Sequence, residues 1–173
     1  GGAPVWENEA ALADLCFSRE LTGKLGASTA GLRVKDYLKA GQLFYPHWDE
    51  AYAQKLVRLF GLEEKKRLNA LSKGMTSAVT IVLALASRAP VTMMDEPTAG
   101  LDVVAREDFY RLLLEDHTGT GRTFVISTHI LEEAAPVFER VMVMKEGRLI
   151  ENCETDALLA QFCAVSGRDD AVA

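Results

Sequence analysis

Residues 91 to 102 read Val-Thr-Met-Met-Asp-Glu-Pro-Thr-Ala-Gly-Leu-Asp, an apolar strand that ends in two adjacent carboxylates and turns through Pro97 and Gly100 to a third. Such a grouping can hold a metal-bound phosphate against a water. Val91 to Met94 form the short continuous apolar run expected of a strand buried on both faces of a parallel sheet. Asp95 and Glu96 emerge at its carboxyl end, where open α/β sheets bind ligands. Neighbouring strand residues point to opposite sides, so the two acids can take different tasks. Asp95 is expected to steady Mg²⁺ through its water shell, and Glu96 to face a nucleophilic water as general base.

Alone, Asp-Glu-Pro reads as a strand end running into a turn, but two further segments stand around it. Upstream, Leu71-Ser72-Lys73-Gly74-Met75 opens a helix-like stretch with Ser, Gly and backbone amides at its start, the arrangement that receives anions at a positive helix terminus. Downstream, the β-branched and aromatic run Phe124-Val125-Ile126 ends in Ser127-Thr128-His129, a polar cluster again at a strand's carboxyl end. Plainer roles compete at each position. Ser72 and Gly74 suit an N-cap and a turn, Asp102 suits a cap for the helix that follows, and a lone histidine such as His129 is more often structural. His47, His117 and the Met93-Met94 pair are assigned to surface or core.

In this order and at these spacings the segments resemble the nucleotide-binding subunit of ATP-binding cassette (ABC) transporters, from about Leu15 to the C-terminus. Leu71 to Met75 is similar to the family's signature loop, Val91 to Glu96 to its Walker B strand and catalytic glutamate, Ala99 to Asp102 to its D-loop, and His129 to its switch histidine. The resemblance implies that Ser72, Lys73 and Gly74 contact ATP held by a second subunit. It further implies that Asp102 reaches across the dimer and that His129 senses the γ-phosphate while keeping Glu96 and the water in place. Lys73 and Met75 stand where the usual loop has glycine and glutamine. Arg19 stands where the family has a glutamine that touches Mg²⁺, and a guanidinium, having donors only, cannot ligate it.

The family's phosphate-cradling motif, G-x-x-x-x-G-K-[ST] or Walker A, is absent from the sequence. The Gly23-Lys24 pair is followed by Leu25 and has Ser18 where the first glycine belongs. The expectation is a chain representing the carboxyl-terminal two-thirds or so of a cassette. In the fold the resemblance implies, the strand leading into Walker A lies between the strands at Thr123 to Ser127 and Val141 to Lys145. Without it, those two are expected either to close on each other or to take a strand from a second molecule. The chain alone is then expected not to bind MgATP usefully.

The fold expected is α/β, a RecA-like P-loop ATPase core of parallel sheet flanked by helices with an inserted helical subdomain. Residues 1–20 would end the N-terminal part of the core, 21–75 would form the helical subdomain ending in the signature loop, and 76–173 would complete the core. Helix-like apolar spacing marks Val34 to Ala40, Asp49 to Phe60 with Asp49 as N-cap, and Ser72 to Ala89, the last buried on one side. Strands are expected at Leu15 to Phe17, Val91 to Asp95, Thr123 to Ser127 and Val141 to Lys145, with Glu146-Gly147 turning a hairpin into Arg148 to Ile150. Helices are expected from about Val104 to Glu115 and near Leu131 to Phe138.

A composition of 49% hydrophobic and 25% charged residues fits a globular piece with a real core, and the apolar stretch Ala78 to Ala86 is half what a bilayer crossing needs. Gly1 to Pro4 reads as a turn, with no secretory signal. Cys16, Cys153 and Cys163 are odd in number and irregularly spaced, which disfavours disulfides and zinc and fits a reducing cytosol. A net charge of -6 argues against nucleic-acid partners, and Lys65-Lys66-Arg67 is read as a solvated helix end.

The function implied is an ATP-hydrolysing subunit of a transporter, of export type, on the cytoplasmic face of the membrane. Its partners would be a second ATP-binding subunit and a transmembrane subunit. The alternative is a non-catalytic or regulatory cassette acting as a dimerisation module. A third reading, a soluble cassette of DNA repair or translation, lacks the expected coiled coil or second cassette.

Overall fold

The computed structural model describes residues 4–21, 31–130 and 135–160, and the chain divides into two compact units, Gly1–His129 and Ile130–Ala173. Gly23, Lys24, Gly26, Cys163 and the first half of the helix expected near Leu131 lie outside the described residues.

In the first unit, a short helix α1 (Glu9–Ala13), capped by Asn8, leads into β1 (Leu15–Ser18). Two amphipathic helices follow, α2 (Val34–Phe44) and α3 (Glu50–Leu59), the second capped by Asp49 and stopped at Gly61, whose φ is +59°. A single 3₁₀ turn, Leu68–Ala70, precedes α4 (Lys73–Ala86), for which Ser72 is the N-cap. Lys65 and Lys66 lie in a turn and bend, and Arg67 forms an isolated bridge with Arg33, rather than a helix end. Then come β2 (Val91–Asp95), α5 (Val103–Thr120), closed by left-handed Gly121, and β3 (Thr123–Ser127). The three strands form a parallel sheet in the order β1-β2-β3, with Leu15 opposite Val91 and Val91 opposite Thr123.

Helix α4 was expected to bury one side. Every residue from Ser77 to Ala86 is buried instead, because the run Ala-Val-Thr-Ile-Val-Leu-Ala-Leu-Ala carries no polar face to present to water. Strand β2 departs in the opposite sense: Thr92 and Met94 are buried while Val91 and Met93 are only half covered, so one face of the sheet is packed and the other is partly open. Helix α5 runs from Val103 to Thr120, longer than the apolar spacing indicated, because its last turn is polar and ends only at Gly121.

Below the sheet's amino end sits an interior ion cluster. Arg122, 5% exposed, donates through Nε to Ala89 O at 2.8 Å, through Nη1 to Asp116 Oδ2 at 2.7 Å and Leu85 O at 3.1 Å, and through Nη2 to Thr92 Oγ1 at 2.9 Å and Ala84 O at 3.2 Å. Arg88, held at φ +52°, joins the same Asp116 to Asp49 at the start of α3. One guanidinium thereby adds donors to the carbonyls at the end of α4, which Ser87 and Arg88 also serve, while clamping β2 and α5.

In the second unit, β4 (Arg140–Lys145) and β5 (Arg148–Glu154) form an antiparallel hairpin whose turn residues, Glu146 and Gly147, both have positive φ. The pair suits the right-handed strand twist. Helix α6 (Thr155–Leu159) follows, its first residue donating from N to Glu139 O at 3.0 Å and from Oγ1 to Phe138 O. Residues 135–137 form a turn where a helix was expected, Pro136 being a poor continuation of one. Strand β3 bonds to β2 and β4 bonds to β5, in separate sheets, so the first of the two expected outcomes, β3 closing on β4, is not seen among the described residues.

Candidate active site

Asp95 is the last residue of β2, and the parallel register sets it opposite Ser127, the last residue of β3. Ser127 Oγ donates a short hydrogen bond to Asp95 Oδ1, while Glu96 N donates to Ser127 O at 3.1 Å and lies 3.2 Å from Ser127 Oγ. One serine thus fixes both acids. Sequence reasoning noted Ser127 within a polar cluster but assigned it no role; only the register, a long-range property, reveals its place.

The expectation that strand alternation separates the two carboxylates fails. Glu96 lies beyond the strand with φ +44°, a left-handed conformation that costs a non-glycine residue of order 1 kcal/mol or more. Glu96 thus leaves β2 through a backbone reversal rather than along the pleat. Buried Pro97 and Thr98 hold that reversal in place, and Ala99 N closes it by donating to Glu96 O at 3.1 Å.

His129 Nδ1 lies 2.8 Å from Glu96 Oε1. An ionised carboxylate only accepts, so this contact places the proton on Nδ1 and leaves Nε2 as the ring's free face. The His129 side chain is 76% exposed and that of Glu96 32%, so water reaches both.

The signature-like segment is built against the turn that follows Glu96. Ser72 Oγ accepts from Met75 N at 3.2 Å, so Ser72 caps α4. A Cβ on Gly74 would stand 2.4 Å from Gly100 O, and one on Gly100 would stand 2.8 Å from Lys73 Cγ. Two backbones therefore touch where both residues are glycine, and Gly100, at φ +76°, requires glycine on conformational grounds as well. Ser77 Oγ donates to Ala99 O at 2.6 Å and fastens α4 to the same turn. Asp102 caps α5 by accepting from Ala105 N at 2.8 Å. Its cap role and an exposed position coexist, as do those of Ser72.

The structure therefore brings Asp95, Glu96, Ser127 and His129 into one cluster and Ser72, Lys73 and Gly74 into another, with Pro97 to Leu101 between them. No group of three or more His, Cys, Asp or Glu side chains able to cage a metal occurs among the described residues. The Asp95 carboxylate at the strand end suits Mg²⁺, which keeps most of its waters and binds through one or two carboxylates plus substrate phosphate. Ser127 engages Oδ1 of Asp95, which is exposed at the strand end. Arg19 is exposed at the end of β1.

Residues 32–135 match the profile of a family described as "AAA domain, putative AbiEii toxin, Type IV TA system". Among curated proteins, the phosphonates import ATP-binding protein PhnC of Trichormus variabilis is 37% identical over 120 residues, covering 68% of this chain and 49% of that protein. The ABC transporter ATP-binding protein YtrB of Bacillus subtilis is 27% identical over 121 residues, covering 70% of this chain and 41% of that protein. The chain thus spans less than half the length of these relatives. Among solved structures, an ATP-binding subunit of an ABC transporter superposes with a TM-score of 0.73 at 23% identity, covering 92% of this chain and 67% of the other. The dimeric ATP-binding cassette MJ0796, in a post-hydrolysis state with ADP and Pi, gives 0.66 at 21% identity, covering 85% and 65%. These last two likenesses speak to the fold, which is that of an ABC ATPase domain.

Proposed function

We propose, from the premise that this chain belongs to the AAA-domain family of P-loop ATPases and stands within it among the ABC transporter ATP-binding proteins, that it carries the water-activating half of an ATP-hydrolysing site. The observation that carries the reading is the 2.8 Å contact between His129 and Glu96, at a strand end where Ser127 fixes Glu96 and Asp95 together.

In this reading Glu96 accepts the proton of a water attacking the γ-phosphorus, and the Nδ1–H of His129 holds the carboxylate in place. The free Nε2 face of His129 is turned to the phosphate. Bound Mg²⁺ would neutralise phosphate charge, and Asp95 would hold it through its water shell. Positioning and electrostatics supply most of the rate in such reactions. Ser72, Lys73 and Gly74 would meet the nucleotide of a second subunit, with Asp102 reaching across the same interface, so that two copies share each site. The MJ0796 dimer supports that arrangement by likeness of fold.

We take residues 1–20 as a core end, 21–75 as a helical subdomain that includes α2 and α3 and ends in the signature loop, and 76–173 as the rest of the core. No helix among the described residues is long and apolar enough to cross a membrane. In our reading the transport role is shared with a transmembrane subunit, with this chain on the cytoplasmic face of the membrane. Export is the direction the resemblance suggests, whereas PhnC is named as an import protein. Vesicle transport assays with the cognate membrane subunit decide between them. Because the 173 residues contain no phosphate-cradling loop, we infer that this polypeptide alone is inactive; titration with a fluorescent ATP analogue is expected to show no micromolar binding.

The test of the main reading is Glu96→Gln in the whole subunit. Steady-state hydrolysis should fall by ~10²- to 10⁴-fold with nucleotide affinity nearly unchanged. Equal turnover would remove Glu96 from the chemistry.

A further inference from the structure

Lys73 is the first residue of α4, and no acid occupies that helix's first turn. A cation there faces the positive end of the helix dipole and is disfavoured unless another element supplies a counter-charge. Glu20, just beyond the end of β1, supplies it: Lys73 Nζ lies 3.3 Å from Glu20 Oε1. The stem of Lys73 is directed along this path by the turn after Glu96, since its Cβ and Cγ pack where Gly100 has no side chain. Three segments remote in sequence meet on one lysine: the end of β1, the start of α4 and the Gly100 turn.

We propose that the Lys73–Glu20 pair is a latch on the signature loop. Closed, it turns the lysine's charge toward its own subunit; open, it releases that charge to the phosphates of the nucleotide held by the facing subunit. This rests on the reading that Ser72 to Gly74 act between subunits. The exposure of the two side chains, 62% for Lys73 and 35% for Glu20, suits a latch that must open. An ion pair so exposed is weak and salt-screened, and a triphosphate carrying several charges outcompetes one carboxylate for the same ammonium. The pair therefore sets a threshold for dimer closure rather than a block.

ATP-dependent dimerisation of the whole subunit in a Glu96→Gln background, followed by light scattering, tests the latch. Glu20→Gln should lower the ATP concentration for half-maximal dimer by about threefold at low salt, the scale of an exposed pair, with the shift shrinking as salt rises. Lys73→Gly should raise it, and Glu20→Gln added to Lys73→Gly should then change nothing. A Glu20→Gln shift of equal size in the Lys73→Gly background, or no shift in either, overturns the latch. Ser72→Arg separates the two levels: if it blocks dimerisation while Glu20→Gln is silent, only the latch fails. If Ser72→Arg dimerises normally, the reading between subunits fails with it.

Discussion

Two sets of charges in the first unit are built to opposite standards. Arg122 and Asp116 have side chains only 5% and 0% exposed, and every donor of the guanidinium has a fixed acceptor. Glu96 with His129, and Lys73 with Glu20, form pairs that water reaches. The interior set is over-determined, so removing one member leaves a buried charge unmatched. The exposed set is under-determined, which is what groups that must exchange a water, a proton or a phosphate require. Stability and chemistry thus sit in different ion pairs of the same unit.

The sharpest way to break that contrast is to compare Asp116→Ala with His129→Ala. Asp116→Ala should lower unfolding stability by about 3–5 kcal/mol in urea denaturation, because Arg122 is left charged and buried. His129→Ala should change stability by less than about 0.5 kcal/mol, as surface substitutions do, yet reduce hydrolysis in the whole subunit. Similar urea midpoints for the two variants would erase the distinction.

A smaller effect is expected at the glycine contact. Gly74→Ala should cost roughly 1–3 kcal/mol by driving a methyl group into Gly100 O, whereas Ser72→Ala should cost about 1 kcal/mol through loss of a cap. Thermal melts in the absence of nucleotide separate them. Because Gly74 serves the chain's own packing, its variants test the interface less cleanly than those of Ser72. Ser127→Ala should slow hydrolysis by about tenfold, since Asp95 loses its donor while Glu96 N keeps the backbone acceptor. An unchanged rate would leave Ser127 a bystander.

The smallest effect lies in acid. The backbone N–H of Tyr52, and after it Arg88, hold the Asp49 carboxyl below the usual range despite some opposing burial. A depressed folded pKa means that its contribution is present above the unfolded value, about 4, and drains away as pH falls through the folded one. Stability measured from pH 5 to pH 2 should fall less steeply for Asp49→Asn than for the parent.

Much of this was legible in the sequence, and the residues show why. Strand β3 and the caps Asp49, Ser72 and Asp102 follow from local pattern, as does the turn at Glu146-Gly147. The all-round burial of α4 was missed, although its run from Ala78 to Ala86 has no polar face. What stayed hidden is set by register and close approach: Ser127 opposite Asp95, Gly74 against Gly100, Glu20 against Lys73. The left-handed Glu96 is hidden for another reason, because local preference disfavours it and the surrounding turn imposes it.

Mixing two inactive proteins tests the central claim, a site shared between copies, most directly. In whole subunits, Glu96→Gln lacks the base and Ser72→Arg the loop offered to the partner. A mixed dimer would contain one site with both defects and one with neither. Random pairing of equal amounts should therefore recover about a quarter of parental hydrolysis, though each protein alone shows almost none. A mixture as inactive as its components would contradict the account and place Ser72 and Glu96 in service of the same subunit's nucleotide.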